Sequence, residues 1–286
     1  MRVDRVLSQY LFALLKGWSR SNGLKIPILM YHSIAGDTDD HLHPYYRTVT
    51  TPETFAMQMA YLSQSGYRAL TLSEAVSLFH GEPNGEPLRR PVVITFDDGF
   101  EDFYSAAFPI LERYGFKATV FLTSALIGKT FVTGRQCLSA SEIKELAGKG
   151  IEFGSHTVNH PQLRTLSKDE IINELTGSKA AIEDLIGAPV SLFSYPYGFP
   201  EEDIDFTRNL GTLMTETGYT AGVTTSIGLA GADEDIRFLK RLPVNDKDDL
   251  SLFKTKLEGG YDWLHPCQLA YKRLRSVFRH FFKTRD

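Results

Sequence analysis

VVITFDDGFEDFYSAAFPILERYGFKATVFL, residues 92–122, holds a strand, a helix and a second strand, and its reading decides the fold. Val92–Phe96 is a short apolar, β-branched run of the kind that forms a buried strand. It stops abruptly at Asp97-Asp98-Gly99. A helix beginning near Asp102 runs to Gly115, a residue suited to the left-handed turn that ends helices. Ala118–Leu122 is then the next apolar run. Such a strand–helix–strand unit places its two strands parallel with the helix across them.

The same alternation continues in both directions. Further strands are expected at Ile26–Tyr31, Arg68–Leu72, Ile151–Phe153, Ser191–Tyr195, Tyr219–Val223 and Phe238–Val244. Thr51-Pro52-Glu53 reads as a helix start with proline in the first turn. Ser139 to Glu142 and Ser167 to Glu170 have capping-box spacing. Gly66, Gly150, Gly187 and Gly218 stand where helices should end. Gly36–Thr50 is polar and reads as a loop. The whole is an α/β chain of seven or eight mainly parallel strands, closed or nearly closed into a barrel, with a doubly wound open sheet as the other arrangement. A barrel of this kind commonly takes about 250 residues, which a chain of 286 residues accommodates as one domain.

Charge divides the chain into three parts. Residues 1–25 carry five basic groups against Asp4, a net of +4, and residues 271–286 carry six against Asp286, a net of +5. The total is −4, so the body between them carries −13. An isoelectric point near 6.1 gives no sign of a nucleic-acid partner. Three segments are expected: an N-terminal amphipathic helix over 1–25 (Leu7, Tyr10, Leu11, Leu14, Leu15, Trp18), a barrel over 26–260, and a basic amphipathic helix over 261–286. In the last, Tyr271, Leu274, Val277, Phe278, Phe281 and Phe282 form an apolar stripe among Lys272, Arg273, Arg275, Arg279 and Lys283. That pattern suits either packing on the acidic barrel or peripheral contact with an anionic membrane surface. No apolar run is long enough to span a bilayer. With no small-x-small cleavage site before Trp18, a cytoplasmic location, peripheral to the membrane, is the expectation, with a cleaved signal peptide and export as the alternative. Cys137 and Cys267 form no C-x-x-C pair and are expected to be free thiols.

The chemistry lies at strand ends, the functional rim of parallel α/β folds. Adjacent residues on an extended chain point to opposite sides, so one carboxylate of Asp97-Asp98 can bind a metal while the other addresses substrate. A polar turn with an aspartate capping the next helix is the structural alternative. After Ile151–Phe153, His156-Thr157-Val158-Asn159-His160 sets two imidazoles four residues apart, able to converge on one ion if the loop turns helically. With Asp98 they would make a two-histidine, one-carboxylate set that leaves open positions for water and substrate. A third strand end is Ser194-Tyr195-Pro196-Tyr197-Gly198, whose proline and glycine stiffen a turn. No nucleophile elbow, phosphate loop or dinucleotide fingerprint is present.

T-F-D-D-G, H-T-V-N-H and S-Y-P-Y-G, in this order, resemble the first three motifs of the polysaccharide deacetylases, the NodB-homology group or carbohydrate esterase family 4. Ile28-Leu29-Met30-Tyr31-His32-Ser33-Ile34 is similar to the poly-N-acetylglucosamine deacetylase branch. The resemblance runs over about residues 26 to 257. It implies a distorted (β/α) barrel and a hydrolase that removes N-acetyl groups from an amino-sugar glycan. It also implies Asp97 as general base, Asp98, His156 and His160 as ligands of a divalent metal, often zinc, and a backbone N–H at Tyr197 for the oxyanion.

Two positions depart from the family pattern. Arginine is usual where Ser194 stands, and a leucine–histidine motif supplying the general acid is usual near the C-terminus, where this chain has Phe238–Val244 without histidine. The poly-N-acetylglucosamine branch resembles this chain in placing a histidine near the N-terminus, which makes His32 the expected acid. Arg241 is the candidate for orienting Asp97. Tyr31, Tyr195 and Tyr197, with Pro196 shaping the turn, are expected to offer faces for a sugar ring. Two other functions fit the same residues: non-catalytic glycan binding, and metal-dependent hydrolysis of another amide or ester.

Overall fold

The computed structural model describes residues 3–11, 23–36, 47–81 and 89–283. Its strands are β1 (Lys25–Ile26), β2 (Ile28–Tyr31), β3 (Ser33–Ile34), β4 (Val49–Thr50), β5 (Arg68–Leu70), β6 (Pro91–Phe96), β7 (Thr119–Leu122), β8 (Glu152–Ser155), β9 (Leu192–Ser194), β10 (Ala221–Ile227), β11 (Ala230–Gly231) and β12 (Leu239–Pro243). The helices are α1 (Val3–Val6), α2 (Pro52–Gln64), α3 (Leu72–Phe79), α4 (Phe108–Tyr114), α5 (Ala140–Gly148), α6 (Lys168–Ile186), α7 (Ile204–Glu216), α8 (Leu250–Leu257) and α9 (Leu264–Lys283).

The main sheet runs β2-β12-β10-β9-β8-β7-β6, and β6 then pairs back with β2, closing a ring of seven parallel strands. The count of seven or eight resolves here. β5 pairs with Pro91–Val93 of β6, while β7 pairs with Thr95 and Phe96 further along it. The eighth strand thus shares one edge of β6 and stays outside the ring. β1 with β11 and β3 with β4 form small separate pairs.

Local signals explain the helix ends. The Thr51 side chain caps α2, and capping boxes at Thr71, Ser139 and Ser167 start α3, α5 and α6. The Thr71 box also ends β5 early, so Leu72 opens a helix instead of closing a strand. Gly115 and Gly187 take the left-handed C-cap conformation. The segment after Asp102 winds first as a π-type turn, Phe103–Ala107, before α4.

The principal core lies between the ring and its helices and includes Phe55, Met59, Phe96, Phe103, Ile143, Leu175, Ile182 and Leu213. Inside the ring lies a second, apolar cluster that includes Val93, Phe121, Leu192 and Leu239, and nearer the strand ends Thr95, Asp97, Ser194 and Arg241 are buried and polar.

The described part of the N-terminal segment packs against the rest of the chain. Residues 3–11 lean on the barrel through Asp4 to the Tyr261 hydroxyl and Ser8 to the Trp263 indole N–H. Leu14, Leu15 and Trp18 of the expected N-terminal helix lie outside the described residues, as do residues 37–46 of the expected loop. Cys137 is buried and Cys267 exposed, and both are free thiols. Among the described residues, no helix is long and apolar enough to cross a membrane.

Candidate active site

Strand alternation aims the first pair of carboxylates. Thr95 and Asp97 face the ring interior, while Phe96 between them packs outward against Tyr31, Phe55 and Phe103. Asp98 follows at φ 70° and Gly99 at φ 67°, so the chain turns sharply as it leaves β6. A Cβ on Gly99 would lie 2.6 Å from Leu122 Cδ2, so the close approach, added to a backbone angle that side chains rarely adopt, favours glycine.

Arg241 spans the ring to meet Asp97. Its side chain is fully buried, with Nη1 2.8 Å from Asp97 Oδ1 and Nη2 2.7 Å from Oδ2, a two-pronged pair. Nε donates to the Thr224 carbonyl at 2.9 Å, and Nη1 and Nη2 also donate to the Thr95 and Ser194 hydroxyls, each at 3.2 Å. The Ser194 hydroxyl in turn donates to Asp97 at 3.1 Å. Where the family pattern has arginine, a small residue leaves room for the guanidinium arriving from β12. Burial works to raise the Asp97 carboxyl, but Arg241, with His156 and His32 behind it, holds it well below the usual carboxylate range.

Asp98, His156 and His160 converge. One ligand atom from each lies within 4.8 Å of the others, and Asp98 Oδ1 stands 3.5 Å from His156 Nε2 and 3.4 Å from His160 Nε2. His156 Nδ1–H donates to the Ser194 carbonyl at 2.7 Å, which turns Nε2 toward Asp98. Burial, and then the neighbouring His156, push His160 down to about 4, leaving a neutral ring at pH 7. Asp98 Oδ1 is buried without a hydrogen-bond partner. An orphaned carboxylate oxygen facing two imidazole nitrogens is a donor set that fits a divalent cation.

The histidines do not meet through a helical turn, as their spacing suggested. Thr157 and His160 take φ 71° and 56°, and the loop is held instead by Glu174 of α6, which accepts the Val158 N–H at 2.8 Å and the Asn159 N–H at 2.9 Å. The Asn159 side-chain amide donates to the same carboxylate at 2.8 Å. Sequence reasoning missed Glu174, because nothing in the register of an amphipathic helix marks one glutamate as the anchor of a distant loop. Among the described residues, five non-glycine residues have positive φ, and Asp98, Thr157, His160 and Tyr197 are four of them. Such conformations cost about 1–3 kcal/mol each and persist where surrounding structure forces them, so their concentration here marks a built site.

Two of the tyrosines expected to carry a sugar ring are misplaced by that expectation. Tyr31 is fully buried, stacked on Phe96, edge-on to Phe55, with its hydroxyl donating to Gln58 at 2.7 Å. It is paired with Phe96 in register and faces the helices with it. Tyr195 is 3% exposed and packs on Phe199 and Phe206. Tyr197, by contrast, is 50% exposed and tilts over the His160 ring at 4.6 Å. Phe131, which the motifs did not reveal, meets the same ring edge-on at 5.5 Å. Pro196 lies in the turn between the two tyrosines. His32, one residue beyond β2, sets Nε2 4.0 Å from Asp97 Oδ2.

Fold and site together define a parallel (β/α) barrel with an aspartate–arginine pair and a candidate metal-binding set of one aspartate and two histidines gathered on the rim of its strand ends. This chain belongs to the polysaccharide deacetylase family. The family's sequence pattern matches residues 84–222, leaving His32 and Arg241 outside the match. YxkH of Bacillus subtilis (strain 168), itself classed with the polysaccharide deacetylases, is 33% identical over 237 residues, 82% of this chain and 77% of that protein. A poly-β-1,6-N-acetyl-D-glucosamine N-deacetylase of Staphylococcus aureus is 29% identical over 158 residues, and the match spans about half of each chain, 52% and 53%. Among solved structures, the Streptococcus pyogenes deacetylase PplD, in complex with acetate, superimposes with a TM-score of 0.70 at 28% identity, covering 82% of this chain and 99% of that one. An enzyme of this family, not a non-catalytic binder, is the reading that these relatives support.

Proposed function

We propose that the chain is a metal-dependent N-deacetylase acting on an N-acetylated amino-sugar glycan, with poly-N-acetylglucosamine as its substrate class. The observation that carries this reading is the ionised, Arg241-clamped Asp97 beside the orphaned Asp98 Oδ1 and its two imidazoles. Asp98, His156 and His160 would hold the cation, zinc being the one their nitrogen-rich set suits. Such a cation, when bound, polarises the acetyl carbonyl and lowers the pKa of water toward about 7.

The chain's own groups do the rest. Asp97 takes the proton of the attacking water, since Arg241 keeps it charged and aimed. The Tyr197 backbone N–H faces the developing oxyanion, a type of donor whose loss typically costs about 10²–10³ in rate. His32 delivers a proton to the departing sugar nitrogen. The exposed Tyr197 ring offers the flat apolar face on which the sugar stacks.

Acetate release from β-1,6-linked N-acetylglucosamine oligomers and from O-acetylated glycans, measured together with metal content, tests the assignment. N-deacetylation should dominate, and preferential release from the O-acetylated glycans would replace the reading with an ester hydrolase. His156→Ala should lose both metal and turnover, read as metal stoichiometry below about a tenth and acetate at background.

We also propose that the outer half of α9 meets an anionic membrane surface. Tyr271 and Leu274 are 64% and 61% exposed among exposed Arg273 and Arg275, and an acidic body leaves the basic ends as the part such a surface attracts. Full chain should sediment with phosphatidylglycerol vesicles and a chain lacking residues 273–286 should not; equal sedimentation of the two would rule the contact out.

A further inference from the structure

Tyr197 holds a left-handed backbone conformation, φ 60°, at a residue with a full side chain. Something must hold it there, and the nearby bonds show what does. The Thr225 hydroxyl donates to the Tyr197 carbonyl at 3.2 Å and accepts the Phe199 N–H at 2.9 Å, tying the turn to β10. The next tie comes from α9. Lys272 donates to the Phe199 carbonyl at 2.8 Å and to Glu201 at 3.0 Å. His265 Nε2 lies 2.7 Å from the other oxygen of Glu201, which also accepts the Ser226 hydroxyl at 3.1 Å. Gln268 accepts the Ile227 N–H at 3.3 Å and donates to the Thr225 carbonyl at 3.5 Å.

His265, Gln268 and Lys272 are spaced i, i+3, i+7, one face of the helix. That face therefore contacts both sides of the turn: the Phe199–Glu201 segment that leaves it and the β10 segment that braces it. Lys272, His265 and Glu201 are 19%, 25% and 13% exposed, so the Lys272–Glu201 ion pair and the His265 contact are shielded from most of the solvent. Burial opposes the charge on Glu201, but His265 and Lys272 outweigh it and bring its carboxyl down to about 2, so Glu201 is ionised at neutral pH. No residue of α9 lies within the stretch that the family pattern matches, residues 84–222.

We infer that the inner face of α9, through Lys272, His265 and Gln268, is a positioning element of the active site that holds the Tyr197 turn in its left-handed conformation. The inference rests on the deacetylase reading only for its effect on rate; its effect on the turn stands apart. The helix is then part of the working barrel, and a deacetylase unit ending at residue 260 lacks one support of its oxyanion turn.

The test uses the full chain with Lys272→Met, the milder Gln268→Ala and the conservative Lys272→Arg. Hydrogen exchange of the amides of Tyr195, Tyr197, Gly198, Phe199 and Glu201 should rise at least tenfold in Lys272→Met and several-fold in Gln268→Ala. Exchange in β6 and β8 should not change, and Lys272→Arg should restore most of the protection. Acetate release should show kcat down ten- to a hundredfold with KM within about twofold and metal stoichiometry intact. Unchanged exchange at 195–201 in both Lys272→Met and Gln268→Ala overturns the inference whatever the activity. Exchange that rises while kcat stays at the wild-type value overturns the positioning role in catalysis. A wild-type chain that releases no acetate overturns the deacetylase reading instead, and the exchange result still decides the turn.

Discussion

Asp97→Asn should retain its metal and lose turnover, kcat falling by about 10²–10⁴, the contribution typical of a positioned base. The substitution is close in shape, and Asp97 is not one of the three groups whose ligand atoms converge, so metal stoichiometry should match the wild type. What changes is charge. An amide cannot take the water's proton, and it leaves the fully buried Arg241 guanidinium without its anion. The variant should therefore also melt lower, so kinetics belong well below its transition, with circular dichroism confirming the fold. A rate within about threefold of wild type would end the assignment of Asp97 as base.

Much of this was legible in the sequence because strand ends in a parallel barrel share one rim. Apolar runs ending in Asp97-Asp98, His156 and Tyr197 had to bring those residues to one side of the molecule, and they lie there. Closure was less legible. Periodicity marks β5 and β7 equally as strands, and only the pairing of β2 with β6 puts one in the ring and the other outside it. Side-chain direction at a strand's last residue was not legible either. Tyr31 ends β2 and reads as a rim residue, yet its register with Phe96 turns it outward into the helix layer. The loop His156–His160 failed for a related reason. Four-residue spacing is read as a helical turn, whereas here two left-handed residues and Glu174 set the path. Interactions that cross the chain at long range, such as Glu174 with Val158 or Lys272 with Phe199, leave no local mark.

Arg241 gives the second large effect, and the most specific one. Arg241→Ser should destabilise the chain by about 3–5 kcal/mol, because it strands a buried carboxylate without its partner. For a chain of this size that corresponds to a fall in Tm of roughly 10 °C. The loss should depend on pH. In the wild type, Asp97 ionises well below its unfolded value of about 3.9, so the pair stabilises the fold above that pH and the benefit disappears in acid. Without Arg241, burial dominates and the carboxyl shifts upward, making its ionised form a burden at neutral pH. The stability gap between the two chains should therefore be widest near pH 7 and narrow toward pH 4, and a gap that is constant over this range would contradict the pairing. Arg241→Lys should recover only part, since an ammonium cannot bridge both Asp97 oxygens as the guanidinium does at 2.8 and 2.7 Å. The sharper test is transplantation. Ser194 sits within 3.1 Å of Asp97 and 3.2 Å of Arg241, at the position where the family pattern has arginine. Ser194→Arg alone should crowd a space that Arg241 already fills. Ser194→Arg combined with Arg241→Ser should be more stable and more active than Arg241→Ser by itself. If the double variant is no better than the single one on either measure, then the two arginine positions are not equivalent solutions for holding the base.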